Sequence, residues 1–232
     1  MYRSFARTPL GAEGKTIMPG FVNDIPLYAA GLATTVAVSL LGIGISILVG
    51  IVLALALRSR FQFIALPVRF YVEFARGAPL ALVLFLLYYG GPQFGLLLSP
   101  YVAGIVGLGL YGAGPFAEIF RAGFNAIPTG EREAAEMLGL TPGQTFLNIE
   151  LPQALRLTLP ASVGQTINLV KESAVLSVIT LGELTKVAGM ISSITFAVVT
   201  PYLTIALLYW ALVEIISRFG FYAERHFAVK GS

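Results

Sequence analysis

Two stretches without a single charge decide what this chain can become. Leu27–Leu57 and Gly77–Ala117 contain no Asp, Glu, Lys or Arg. A helix needs about 20 apolar residues to cross the hydrocarbon core of a bilayer. The first stretch is therefore one generous span. The second holds two, with a turn at the sequence GGPQFG (Gly90–Gly95). Composition agrees: 12% of the residues are charged, against about 25% in a soluble domain. The pattern predicts an all-α integral membrane protein.

Five spans are predicted, over roughly Pro26–Leu57, Leu66–Gly90, Pro100–Phe124, Leu159–Leu181 and Thr200–Phe219. An odd number places the termini on opposite sides. Basic residues crowd the cytoplasmic side of a membrane protein. Arg58, Arg60, Arg69 and Arg76 flank the first gap. Arg121 stands in the last turn of the third span with Arg132 and Arg156 beyond it, and Arg218 in the last turn of the fifth with Arg225 and Lys230 beyond it. The opposite loops carry only Lys186. Ten against one predicts a cytoplasmic C-terminus and an external N-terminus. The tail residues Arg3, Arg7 and Lys15 run against that assignment. The expected organisation is a tail over 1–25, a membrane domain over 26–224 with a cytoplasmic loop at about 125–158, and a cytoplasmic tail over 225–232.

Several chemistries fall away. There is no cysteine, and the one histidine, His226, lies in the C-terminal tail. Thiolate and histidine metal sites are not expected, and no catalytic residue, metal ligand or cofactor is assigned. The net charge of +3 is what basic cytoplasmic loops produce and calls for no nucleic acid. The N-terminus lacks the compact layout of a cleaved signal peptide.

Residues 131–160, EREAAEMLGLTPGQTFLNIELPQALRLTLP, stand apart as a polar, punctuated insert between apolar runs. Thr129 is placed to cap a first helix, with Glu131 and Glu133 where the helix dipole favours negative charge. Gly139 is placed to end it. Thr141, Pro142 and Gln144 form the opening of a second helix with a capping box, and Pro152 is expected to stop it. Ala134, Ala135 and Leu138 fall near one face, smooth enough for close approach by a partner. The alternative is a hairpin that only links two spans.

The spacing Glu133-Ala134-Ala135, three residues, Gly139, nine residues, Ile149, one residue, Leu151-Pro152 resembles the EAA signature of permease subunits of binding-protein-dependent ABC importers. ARGAPLALVLFLLYYG (Ala75–Gly90) resembles the segment of the polar amino acid subfamily in which threonine is usual where Ala78 stands. GPFAEIFRAGFNAIPTGEREAA and LPQALRLTLPASVGQTINLVKESAVLSVI resemble the same subfamily. The similarity runs from about Gly31 to Phe219.

The resemblance implies a type I ABC importer permease core of five transmembrane helices in a bacterial inner membrane. It implies a coupling helix, shaped by Glu133, Ala134, Ala135, Gly139, Leu140, Ile149, Leu151 and Pro152, seated on a separate ATPase dimer. It also implies a second permease subunit, the same chain or a sister, an external solute-binding protein and an amino acid substrate. ATP hydrolysis would belong to the ATPase, and this chain contains no G-x-x-x-x-G-K-[ST] phosphate loop.

Ionisable residues within spans default to functional hypotheses. Gln165, Asn168 and Glu172 form one helical stripe, with Lys171 and Ser173 beside it. The stripe reads as a substrate path or as interhelical hydrogen bonding that holds the bundle together. Arg76, Gly77 and Pro79 mark a hinge or a kink in the second span. Glu118 and Arg121 read as a local ion pair. The glycine-rich stretches Gly42–Gly50 and Gly104–Gly114 read as close helix packing. Two other functions compete. An ion-driven secondary transporter usually needs more spans and repeated halves. A membrane enzyme needs a convergent set of reactive groups.

Overall fold

A computed structural model describes residues 21–227. The expected N-terminal tail lies almost wholly outside them, as does Lys230. Among the described residues the secondary structure is helical throughout.

The first span is a single helix, α1 (Phe21–Leu57). The second span, expected over Leu66–Gly90 with a hinge or kink at Arg76, Gly77 and Pro79, is sharply broken at that place. It forms α2 (Gln62–Gly77) and α3 (Leu80–Phe85), bent by 110°. Ala78 and Pro79 adopt extended backbone between them. The cause is local: proline drives its predecessor out of the helical region and offers no N–H to continue the ladder. α3 runs into a π-helical turn (Leu86–Gly90) and a 3-10 turn (Gly91–Phe94) that closes at Gly95, φ 78°. The third span is α4 (Pro100–Asn125), capped by the Ser99 hydroxyl, which accepts from the Val102 N–H.

The insert gives α5 (Thr129–Met137) and α6 (Pro142–Thr145). A π-helical turn (Phe146–Glu150) joins α6 to α7 (Leu151–Glu172), which continues as a 3-10 segment to Ile179. The stretch expected as a loop before the fifth span is instead α8 (Leu184–Thr195), bent 51° from the preceding segment. Its Leu184, Val187, Ala188 and Ile191 are buried with Tyr28 of α1 and Ile205 of α9, which a solvent loop would not allow. The last helix, α9 (Val199–Phe227), runs past the predicted boundary at residue 224.

α4 is the centre of the bundle. In its most apolar window 56% of residues are buried, against 11% for α9. α4 packs mainly on α1, then on α7 and α2. The α1–α4 contact depends on glycine. A Cβ on Gly109 would stand 2.7 Å from Ile45 Cγ2, and one on Gly50 would stand 2.6 Å from Phe116 Cβ. Lipid tails are as apolar as leucine, so helices in a membrane associate through such close packing and through hydrogen bonds. The Ser46 hydroxyl adds the second ingredient, lying 2.9 Å from the Gly42 carbonyl and 3.0 Å from that of Gly109 across the interface. The glycine-rich stretches therefore serve packing.

Among the described residues three helices are long and apolar enough to cross a membrane on their own, and each bent pair counted as one span brings the number to five.

Candidate functional site

The insert builds its two helices by local chemistry. α5 begins at Thr129 with Pro128 as its cap residue and no side-chain capping bond, so the expected Thr129 cap is not made. Its other end is a Schellman motif. The Gly139 N–H donates to the Glu136 carbonyl at 2.9 Å, and the Leu140 N–H to the Ala135 carbonyl at 3.1 Å. Gly139 supplies the left-handed turn this requires, at φ 75°. The capping box of α6 is formed. The Thr141 hydroxyl accepts from the Gln144 N–H, and the Thr141 N–H donates to Gln144 Oε1 at 2.9 Å.

Pro152 does not stop this helix. The chain widens into a π-helical turn just before it, with the Leu151 N–H donating back to Phe146 O, and α7 continues through the proline. Proline removes one N–H and crowds the carbonyl four residues back. A single widened turn absorbs both faults without breaking the axis. Ile149 and Leu151 thus sit in a helical entry to the fourth span rather than at a helix end.

The face of α5 differs from the one expected. Ala135 is 1% exposed and packs inward. Glu133 and Ala134 point outward, together with Met137 at 91% and Leu138 at 79% exposure. The free surface of α5 therefore carries two large apolar side chains among the exposed carboxylates of Glu131, Glu133 and Glu136.

A buried ionic cluster ties the insert to the spans, and the sequence reading did not find it. Glu150, on the π-helical turn, is 6% exposed. Its Oε2 lies 2.8 Å from an Arg58 guanidinium nitrogen at the end of α1. Its Oε1 lies 2.6 Å from Arg132 Nε of α5, close enough for an ion pair although that N–H is not aligned as a hydrogen bond. Arg132 also donates to the Phe124 carbonyl at the end of α4, at 3.1 Å. The Arg58 guanidinium lies 4.8 Å from the centre of the Phe124 ring, which stacks on Phe146. Arginines from the end of α1 and from α5 meet at one carboxylate on the π-helical turn, and the end of α4 is drawn in through Phe124. The one hint in the sequence is that Glu150 is the charged residue inside the Ile149–Leu151 step, where an apolar run is beginning.

The stripe in α7 is divided. Asn168 and Lys171 are exposed, Gln165 and Glu172 are half-buried. Ser173 departs from the stripe: it is fully buried and its hydroxyl donates to the Val170 carbonyl at 2.6 Å. Arg76, Gly77 and Pro79 lie at the 110° bend. The Arg76 side chain lines a charged cleft of about 370 Å³ with Arg69 and Glu73 of α2 and Glu118 and Arg121 of α4. Glu118 and Arg121 form the local pair expected of them, at 2.6 Å. A second buried carboxylate escaped the sequence reading as well. Glu183 accepts from the N–H groups of Thr185 and Lys186 at 2.8 and 2.7 Å and from the Tyr209 hydroxyl at 3.0 Å, capping α8. Among the described residues no group of three His, Cys, Asp or Glu side chains is placed to hold a metal ion.

A helical membrane core with a separate helix-turn-helix insert ahead of its fourth span defines the class: a type I ABC importer permease. The comparisons fix the family. A model of the binding-protein-dependent transport system inner membrane component matches residues 46–229, and the chain belongs to that family. It is 32% identical over 207 residues to the probable amino-acid ABC transporter permease protein YckA of Bacillus subtilis, covering 89% of this chain and 92% of that one. It is 37% identical over 205 residues to the arginine transport system permease protein ArtQ of the same organism, covering 88% and 94%. A crystal structure of an amino acid ABC transporter with histidines superposes with a TM-score of 0.83 at 35% identity, over 90% of this chain and 98% of that one. The chain is thus a multi-pass inner-membrane permease component of an ABC importer, not an ion-driven secondary transporter.

Proposed function

We propose that this chain forms half of the translocation path of an ATP-driven importer for polar amino acids, with α5 as the element that a separate ATPase subunit moves. The observation that carries the proposal is the free face of α5. Met137 and Leu138 stand almost fully exposed on a helix held outside the spans by its own turn motifs. An uncovered apolar patch of this kind marks a contact surface. Glu133, Ala134 and Gly139 shape that surface, while Leu140, Ile149, Leu151 and Pro152 carry its motion into α7. Amino acids are the substrate class because the relatives named above transport them and cover nearly the whole chain.

One chain of this size supplies only part of a path, so a second permease subunit, the same chain or a sister, completes it. An external binding protein delivers the solute. The C-terminus and the insert lie in the cytoplasm and the N-terminus outside, as the distribution of arginine favours. ATP-driven closure of the ATPase pair draws the α5 helices together and turns the permease from inward-facing to outward-facing. The exposed side chains of Asn168 and Lys171, with Gln165 and Glu172 beneath them, line the route of the solute.

The test is purification of the chain from native membranes in mild detergent, with mass spectrometry of every stoichiometric companion, followed by reconstitution into vesicles. A soluble ATPase in fixed ratio, and uptake of labelled amino acids driven by ATP with no ion gradient, are expected. A complex lacking an ATPase, with uptake abolished by a protonophore alone, would overturn the reading.

A further inference from the structure

We propose that Glu150 is a positioning residue for transport: its carboxylate clasps α5 to α1, α4 and α7, so that movement of the insert reaches the spans as one body. The proposal rests on the coupling role of α5 given above, and concerns how that role is carried through the fold.

The argument begins with α5 itself. It is short, and its free face is turned away from the bundle. Direct hydrophobic burial on α5 is limited to Ala135 among the described residues. A push on α5 would be lost in the loops on either side unless something stiff joined it to the spans. The turn at Gly139 is flexible in chemistry but fixed in geometry by its two hydrogen bonds, and it leads only to α6. At the surface Gln153 of α7 donates a long bond, 3.4 Å, to Glu131 of α5; the buried connection is ionic. Arg132 is the one α5 side chain that reaches Glu150, and through its second nitrogen it reaches the end of α4 at Phe124. Arg58 brings in the end of α1 from the opposite side of the same carboxylate.

The chemistry suits a strut. A carboxylate with two guanidinium partners is held from both oxygens, at 2.8 and 2.6 Å, and charge-assisted contacts of this kind are short and strong. Glu150 is buried, so removing its charge leaves Arg58 and Arg132 facing each other with no counter-ion. Breaking one side of a buried ion pair is far more disruptive than exchanging the whole pair. The π-helical turn matters here too. It is the widened turn before Pro152 that carries Glu150 at its last position. The motif proline and the buried acid are thus parts of one device at the entrance to α7.

The test uses the purified complex in vesicles, with ATPase, second permease subunit and binding protein present. Uptake of labelled cationic, neutral and anionic amino acids is measured together with ATP hydrolysis. Glu150→Gln should assemble with the ATPase at the normal ratio and continue to hydrolyse ATP. It should import about tenfold less solute for each ATP consumed. Glu150→Asp, which keeps the charge, should recover much of that ratio. Arg132→Gln should show the same defect, and adding it to Glu150→Gln should cost little more, as expected of residues in one network. A normal transport-to-hydrolysis ratio in Glu150→Gln would overturn the clasp. So would a proportional loss of both activities, or an aspartate variant no better than the glutamine one. If Glu150→Gln is not recovered from membranes, Arg132→Gln leaves the Arg58 pair intact and carries the test, and a normal ratio there overturns the proposal equally. If neither variant assembles, the cluster is a folding element and the proposal fails. A wild-type complex whose uptake does not need ATP would instead refute the coupling reading on which the clasp rests.

Discussion

Glu183 shows what a single charge can do inside a bundle. It is completely buried, a costly place for a carboxylate unless its oxygens are satisfied. Here they accept from two backbone N–H groups and a tyrosine hydroxyl, so the acid replaces the hydration that the start of α8 would otherwise need. Glu183→Ala should leave those donors unpaired in the interior and destabilise the protein by about 2 kcal/mol or more. The check is a thermal melt in detergent, with an unchanged melting point as the contrary result. Gly109 illustrates the opposite constraint, where the absence of a side chain is the requirement. Gly109→Val would drive a methyl into Ile45 at the α1–α4 contact. Overpacking of this kind costs about 1–3 kcal/mol, visible as a lower melting temperature, whereas the exposed Gly130→Ala should be close to neutral.

At the scale of elements, turn chemistry governs the outcome in two places. Gly139 is open to solvent, and an added Cβ would touch nothing, but its φ of 75° is unfavourable for a β-branched residue. Gly139→Val should therefore deform the α5–α6 turn without harming insertion into the membrane. Uptake should fall while the amount of protein in the membrane stays constant, and normal uptake would count against α5 as the moving part. The second place is the bend between α2 and α3. Ala78 and Pro79 hold extended backbone there, and α2 turns Arg69, Glu73 and Arg76 into the cleft shared with Glu118 and Arg121. Pro79→Ala removes the main obstacle to a continuous helix. If the bend serves as a hinge, the variant should reach the membrane normally and transport more slowly. Unaltered transport would leave it as a fixed elbow.

For the whole molecule, the decisive feature is how much remains uncovered. α9 buries little of itself, and α7 presents Asn168 and Lys171 outward, where lipid alone would be a poor neighbour for them. The chain has no cysteine, so single cysteines report without background from it. Asn168→Cys and Lys171→Cys should react with a charged thiol reagent in the assembled complex, with protection by substrate. Ser173→Cys, at a buried site, should not react. Equal silence at all three positions would return the stripe to a packing role. Much of this architecture was legible in the sequence because its causes are local. Hydrocarbon thickness fixes the length of an apolar run, which is why α4 lies where the composition placed the third span. The Thr141–Gln144 box and the Gly139 turn are encoded by neighbours within a few residues. Pro152 and the stretch around Lys186 misled for one reason. A proline stops an isolated helix and a lysine marks a loop, but a π-helical turn absorbed the first and burial against α1 and α9 made a helix of the second. Sequence alone therefore determined the class of fold, the order of its spans and the position of the insert, since lipid and hydrogen-bond chemistry act on each segment separately. Only the tertiary structure decided that Arg58, Arg132 and Glu150 converge, that Glu183 lies in the interior and that Ala135 turns inward. Those contacts join residues far apart in the chain, and nothing short of the packed bundle brings them within reach of one another.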